Sequence, residues 1–239
     1  MDGYKCILFD CMETLVDLTE LPSLRDYALW AFDGSGTEKD WGNFDTFYEC
    51  YNTARKEISQ KLPEHKEYEI SERFEAAVRI GFPHADGKTL AHIKQSLYDN
   101  FWRNYKSRCY VSCEVSGVLR ELKGRFILGV VSNFMVDGGI EELLKENGIE
   151  DSFDFIVTSI GEGWRKPHPG IYEAAMKKSG VAPAEVLFIG DDYLNDYIAP
   201  MEIGMSTILL DRFDRYPEVE TRARDFYSII EILKNRLVF

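Results

Sequence analysis

Residues 4–10 read YKCILFD, an apolar run that stops on an aspartate. An apolar run without polar alternation is the pattern of a strand covered on both faces, as parallel sheets require. Four further runs share the form: FILGVVS at 126–132, FIVTS at 155–159, VLFIG at 186–190 and TILLD at 207–211. Helical patterns separate them. IEELLKEN at 140–147 stops before Gly148, GIYEAAMKKS at 170–179 stops before Gly180, and 226–236 reads as an amphipathic closing helix. Strand and helix in alternation predict an α/β fold with a doubly wound parallel sheet and right-handed crossovers.

The first two runs are far apart, ending at 10 and starting at 126. A simple crossover needs about a dozen residues. The organisation expected is therefore a core domain of residues 1–16 and 111–239 with a second, mostly helical domain inserted at 17–110. The insert is rich in aromatics. Phe44, Phe47, Tyr48 and Tyr51 fall at i, i+3, i+4 and i+7, one face of a helix, and are read as core. Breaks are expected near 34–36, at Pro63 and near 81–87.

Composition narrows the function. Of 239 residues, 45% are hydrophobic, enough for a sizeable core. Lys and Arg number 28 against 41 Asp and Glu, a net charge of −13. That field repels phosphate backbones and anionic lipid, so nucleic acid and membrane are poor partners. No apolar run approaches the ~20 residues of a membrane span. The start, MDGYKCILFD, enters a strand directly, without the basic and apolar stretches of a leader. Five cysteines without zinc-like spacing read as reduced thiols, and a cytoplasmic location is expected. A small anionic substrate fits such a chain only where a local cation or metal offsets its acidity. Nothing in the sequence fixes an oligomeric state.

Open α/β sheets bind ligands outside the carboxyl ends of their strands. Collected there are Asp10, Met12, Glu13 and Thr14 after the first run, Ser132 and Asn133 at the second, Arg165 and Lys166 beyond the third, and Asp191, Asp192, Asn195 and Asp196 after the fourth. A carboxylate can attack phosphorus or an alkyl carbon to form an ester that water then cleaves. Lys166 can bridge that carboxylate and the transferring group, and Ser132 can donate to a substrate oxygen. Clustered carboxylates suit Mg²⁺.

The segments ILFDCMETLVD, GVVSNF, RKPHPGIY and LFIGDDYLND resemble, in order, the four signature motifs of the haloacid dehalogenase-like superfamily. The resemblance spans roughly residues 4 to 211, with the insert where that family places a helical cap. It implies Asp10 as nucleophile, Ser132 as the second-motif hydroxyl and Lys166 as the third-motif cation. It also implies a Mg²⁺ site of Asp10, Asp191, the carbonyl of Met12, and Asp192 or Asp196. Thr14 would order the first loop, and Asn133, Thr14 and Arg165 are candidates for substrate contact. His168 is read as structural.

One position departs from the family's phosphatases, which carry a second Asp two residues after the nucleophile. Here it is Met12, which can neither give nor take a proton. Glu13 is adjacent, but in an extended loop its side chain points elsewhere. Dehalogenases and phosphonate hydrolases also lack that Asp. The dehalogenases lack the metal site too, which conflicts with Asp191 and its neighbours. A phosphonate hydrolase needs a cap lysine that no pattern singles out among Lys39, Lys56, Lys61 and Lys66. The expectation is a hydrolase using an Asp nucleophile on a small phosphate monoester. Halide or phosphonate hydrolysis, and a catalytically weak binding protein, stand as alternatives.

Overall fold

Strand β1 (Cys6–Phe9) is buried along its whole length and holds the centre of the sheet. The computed structural model describes residues 3–236. Within them the chain forms β2 (Asp17–Leu18), β3 (Cys109–Tyr110), β4 (Ile127–Ser132), β5 (Phe155–Thr158), β6 (Val186–Gly190), β7 (Ser206–Leu210) and β8 (Arg222–Ala223). Six strands make one sheet in the order β5-β4-β1-β6-β7-β8. Every pairing in it is parallel, with Cys6 opposite both Ile127 and Val186. The five apolar runs supply five of the strands. The sixth, β8, is two residues long and has no run to announce it.

Counted within this sheet alone, the order is third, second, first, fourth, fifth, sixth. The winding reverses between β1 and β6, and in open sheets that reversal opens the ligand-binding crevice. The residues that follow β1 and β6 are Asp10 and Asp191.

Alternate side chains of β1 serve opposite faces. Cys6 and Leu8 pack with Val131, Phe188, Ile171 and Tyr172, the last two from the helix Pro169–Ser179. Phe9 lies against Phe226 of the closing helix Phe226–Arg236, ring centroids 6.3 Å apart and nearly parallel. The expected helix ends also appear: Gly148 and Gly180 adopt left-handed φ of 71° and 68°.

The chain divides into one unit of Met1–Asp17 and Tyr110–Phe239 and another of Leu18–Cys109. Residues 17 and 110 thus group with the core and not with the insert. The second unit carries the helices Leu24–Phe32, Glu38–Trp41, Phe44–Lys61, Ile70–Gly81 and Gly87–Lys106. Its breaks fall at the glycines, near Pro63, and before Asp86, which caps the last of these helices by accepting from the Thr89 amide. Phe47 and Tyr51 are interior, and contact runs from Phe47 through Tyr51 and Phe74 to Phe101 at 5.6–5.8 Å between centroids. The aromatic stripe is therefore core. Among the described residues no helix is long and apolar enough to cross a membrane.

The position of β1 depends on its cover. Phe226→Ala should lower stability by about 3–5 kcal/mol, the usual cost of emptying a buried aromatic site. Urea unfolding measures it, and a near-neutral result would show that the closing helix does not hold the Phe9 face.

Candidate active site

The first site loop begins where β1 stops. The Asp10 amide donates to the Ile189 carbonyl at 2.9 Å, which carries the β1–β6 pairing one residue past the strand. The loop then knits to itself: the Cys11 carbonyl accepts from the amides of Thr14, Leu15 and Val16 at 3.3, 2.8 and 2.9 Å, and the Glu13 amide donates to Val16 at 2.8 Å. This tight turn puts Glu13 in the left-handed region at φ 61°, where a residue with a Cβ is uncommon. The loop is thus not extended at Glu13, contrary to the sequence expectation. The charge of Glu13 is one of those that raise the Asp191 carboxyl.

Lys166 is 4% exposed, and its ammonium lies 2.6 Å from Asp10 Oδ1 and 2.6 Å from Asp196 Oδ1. Its backbone is fixed as well. The Lys166 amide donates to Asn133 Oδ1 at 2.7 Å, and Asn133 Nδ2 donates to the Lys166 carbonyl at 3.1 Å. Asn133, a candidate for substrate contact, bonds the Lys166 backbone with both ends of its amide and so holds the segment that carries the cation.

Asp196 sits in a six-residue π-helical turn, Tyr193–Ile198. Its Oδ2 accepts from the Asp192 amide at 3.0 Å, so both of its oxygens are engaged. Asp192 is exposed and accepts from the Asn195 amide at 2.8 Å, capping the turn. Asp192 lies outside the group of carboxylates formed by Asp10, Asp191 and Asp196. Tyr172 secures the turn from the side, its hydroxyl donating to the Asn195 carbonyl at 2.5 Å. Gly190 makes room for it: a Cβ there would lie 2.4 Å from Asp196 Oδ2.

Asp191 is half-buried, and its Oδ1 accepts from the Thr14 hydroxyl at 3.3 Å. Thr14 is fully buried, and its hydroxyl bond joins the first loop to Asp191. Asp10, Asp191 and Asp196 each bring a carboxylate oxygen within 4.8 Å of the others. Ser132, at the end of β4, is 1% exposed, and its hydroxyl has no hydrogen-bond partner among the described residues. Met12 is half-buried and bridges to Val16. Arg165 is half-buried beside Lys166. His168 is structural, as read: its Nδ1 accepts from the Gly170 amide at 3.1 Å and Trp164 stacks on it at 4.1 Å.

Crowded carboxylates resist ionisation. Burial pushes Asp10 up to about 6, against the pull of Lys166 and with a further push from Asp191. Burial first and Asp196 second push Asp191 up to about 7. Asp196 also rises to about 7 through burial, opposed by Lys166. Lys166 is held firmly cationic by Asp10 and then Asp196, which outweigh its burial. Perturbed carboxylates around a buried cation in a crevice are the electrostatic form of a reactive site. Two residues that support the site carry no motif to mark them: Tyr172, and Arg212, whose guanidinium lies 2.5 Å from Asp17 and 3.2 Å from the Thr14 carbonyl.

Comparison with known proteins bears on this site. The family described as haloacid dehalogenase-like hydrolase matches residues 42–210 of the chain. The human haloacid dehalogenase-like hydrolase domain-containing protein 3 is 34% identical over 126 residues, 52% of this chain and 49% of that protein. The chain therefore spans about half the length of that relative, and three vertebrate counterparts match similarly. The glyceraldehyde 3-phosphate phosphatase of Pyrococcus abyssi is 30% identical over 205 residues, 85% of this chain and 80% of that protein. A solved 2-haloacid dehalogenase from Pseudomonas syringae has a TM-score of 0.77 at 18% identity, covering 98% of this chain and 100% of its own, a likeness of fold.

The contact between Gly190 and Asp196 is testable. Gly190→Ala forces a methyl into the Asp196 carboxylate and should cost about 1–3 kcal/mol in urea unfolding. Wild-type stability in that variant would mean Asp196 does not seat there.

Proposed function

The chain is a haloacid dehalogenase-like hydrolase, and we propose that it cleaves the phosphate monoester of a small metabolite through Asp10, with Mg²⁺ as cofactor. The observation that carries this reading is the carboxylate triangle of Asp10, Asp191 and Asp196, two of whose members pair with the Lys166 ammonium. Displacing a halide from a neutral carbon needs no such concentration of charge, whereas moving a phosphoryl group does. The relatives named glyceraldehyde 3-phosphate phosphatases act, by that name, on a phosphate ester, which supports the same substrate class.

The residues fit an oxygen-preferring dication. Asp10 and Asp191, with the Met12 carbonyl, are the groups that would hold it, because Asp196 has both oxygens engaged. When bound, the ion offsets the repulsion between Asp10 and the phosphoryl oxygens.

In the proposed reaction a carboxylate oxygen of Asp10 attacks phosphorus. A new P–O bond forms while the ester P–O bond breaks, and the alcohol oxygen leaves with the electron pair. Lys166, already bonded to Asp10, neutralises charge along this path, and the unpartnered Ser132 hydroxyl donates to a phosphoryl oxygen. Arg165 is the candidate cation for the rest of an anionic substrate. Water then attacks phosphorus, the P–O bond to Asp10 breaks with its electron pair returning to the carboxylate, and a proton of that water passes through solvent to the released alkoxide as phosphate departs. Met12 gives the leaving oxygen no proton, so the chemistry favours leaving groups that are stable as anions. The same Met12 favours a second reading, displacement of halide from a 2-haloacid.

A series of aryl phosphates tests the proton deficit. The turnover number should fall steeply as the leaving phenol becomes less acidic. Met12→Asp should flatten that dependence and raise turnover of the poorest leaving groups by about 10²–10⁴-fold. A flat series in the wild type would contradict the assignment, and halide release from 2-haloacids without any phosphatase turnover would favour the second reading.

The raised carboxyls give a pH signature. An acid whose folded value lies above its unfolded value of about 4 stabilises the fold below that pH. The contribution is lost as pH rises through the folded values, about 6 for Asp10 and about 7 for Asp191 and Asp196. Mg²⁺ should therefore raise the melting temperature more at about pH 8 than at about pH 5, and Asp191→Asn should abolish the increment. An equal Mg²⁺ increment in Asp191→Asn would place the ion elsewhere.

A further inference from the structure

The first site loop is tied internally by its own amides and is also bonded to the residues around it. The Asp10 amide donates to the Ile189 carbonyl, and the Thr14 hydroxyl reaches Asp191 at 3.3 Å. A further tie comes from the segment after β7. Arg212 stands two residues past β7, next to the strand that presents Asp191. One guanidinium nitrogen lies 2.5 Å from Asp17 Oδ1, and the other donates to the Thr14 carbonyl at 3.2 Å. The pair is largely shielded, with the Asp17 side chain 14% exposed and that of Arg212 28%. A planar fork reaching two points of one loop fixes orientation as well as distance, which a single ammonium cannot do.

The loop needs such a fixture. It carries Asp10 at one end and holds Glu13 in a left-handed conformation, which a side chain adopts only when its surroundings impose it. Its acids also add negative charge, Glu13 beside Asp191 and Asp17 beside Glu13. Arg212 meets one of these acids directly and Arg215 lies within the field of Glu13.

We propose that Arg212, through its paired bonds to Asp17 and the Thr14 carbonyl, is a positioning residue that sets the Asp10 loop for attack. This deepens the phosphatase reading and rests on it for its kinetic consequence. Arg212 touches no reacting atom. It acts by holding the backbone between Asp10 and Asp17 in register with β6, so that Asp10 and Asp191 keep their spacing.

The test combines amide hydrogen exchange of the metal-free protein with steady-state turnover of an aryl phosphate in Mg²⁺. In Arg212→Met, amides of residues 13–16 should exchange faster while those of β1 and β6 keep their protection. The turnover number should fall about 10–100-fold, as misplacement of a reacting group by about an ångström predicts, with little change in KM. Arg212→Lys should restore part of each, since it keeps the charge but loses the fork. Three results would each overturn the proposal: wild-type turnover in Arg212→Met, reduced turnover with unchanged loop exchange, or a rise in KM alone. Should Arg212→Met fail to fold, Asp17→Asn is judged by the same two readouts. Exchange needs no substrate. A wild type inert to every phosphate ester would sink the phosphatase reading, while the clamp would still stand or fall on loop exchange.

Discussion

The Lys166 ammonium, buried and shared between Asp10 and Asp196, is the interaction on which the rest of the site depends. A charge removed from water is tolerated only when paired and hydrogen-bonded, and breaking such a pair costs about 3–5 kcal/mol. The sharing sorts the carboxylates into roles. Asp196 is saturated by Lys166 and the Asp192 amide. Asp10 is engaged by the cation yet lies at the crevice where the sheet reverses. Asp191, half-buried and only weakly held by Thr14, is the carboxylate with the most freedom to accept a dication.

The scaffold's contribution is alignment. Parallel strands in the order β5-β4-β1-β6-β7-β8 end on one edge, so groups distant in sequence become neighbours there. Asp10 and Lys166 are 156 positions apart. Side-chain amides and hydroxyls complete the alignment: Asn133 holds the Lys166 backbone, and Tyr172 and Gly190 fit the turn that carries Asp196. Each of these groups constrains another protein group and leaves the crevice to the substrate, for which the unpartnered Ser132 hydroxyl is oriented in the proposed reaction.

Much of this was legible in the sequence, and the reason is physical. Buried parallel strands must be apolar throughout, so five of the six announced themselves as runs, and those of β1 and β4 ended on Asp10 and Ser132. β8 did not, because two residues such as Arg222 and Ala223 make no pattern. The site was legible as a set of residues but not as a set of roles. Asp192 and Asp196 are equivalent in a one-dimensional reading. Only the π-helical turn shows that the first caps and the second faces Lys166. Asn133 and Thr14 were expected at the substrate because they neighbour it in sequence, whereas their hydrogen bonds run to Lys166 and Asp191. The left-handed backbone at Glu13 is not legible in the sequence, because one such residue in a self-bonded loop leaves no periodic trace. Arg212 lay beyond reach, since its partner Asp17 is 195 positions away.

In the proposed reaction Asp10 becomes covalently phosphorylated during turnover. Acid quenching of the working enzyme, followed by borohydride reduction, converts an aspartyl phosphate to homoserine, which peptide mass spectrometry locates. Homoserine is expected at position 10 and at no other aspartate, appearing only when substrate is present. Turnover without any conversion at Asp10, or conversion at a different aspartate, would contradict it.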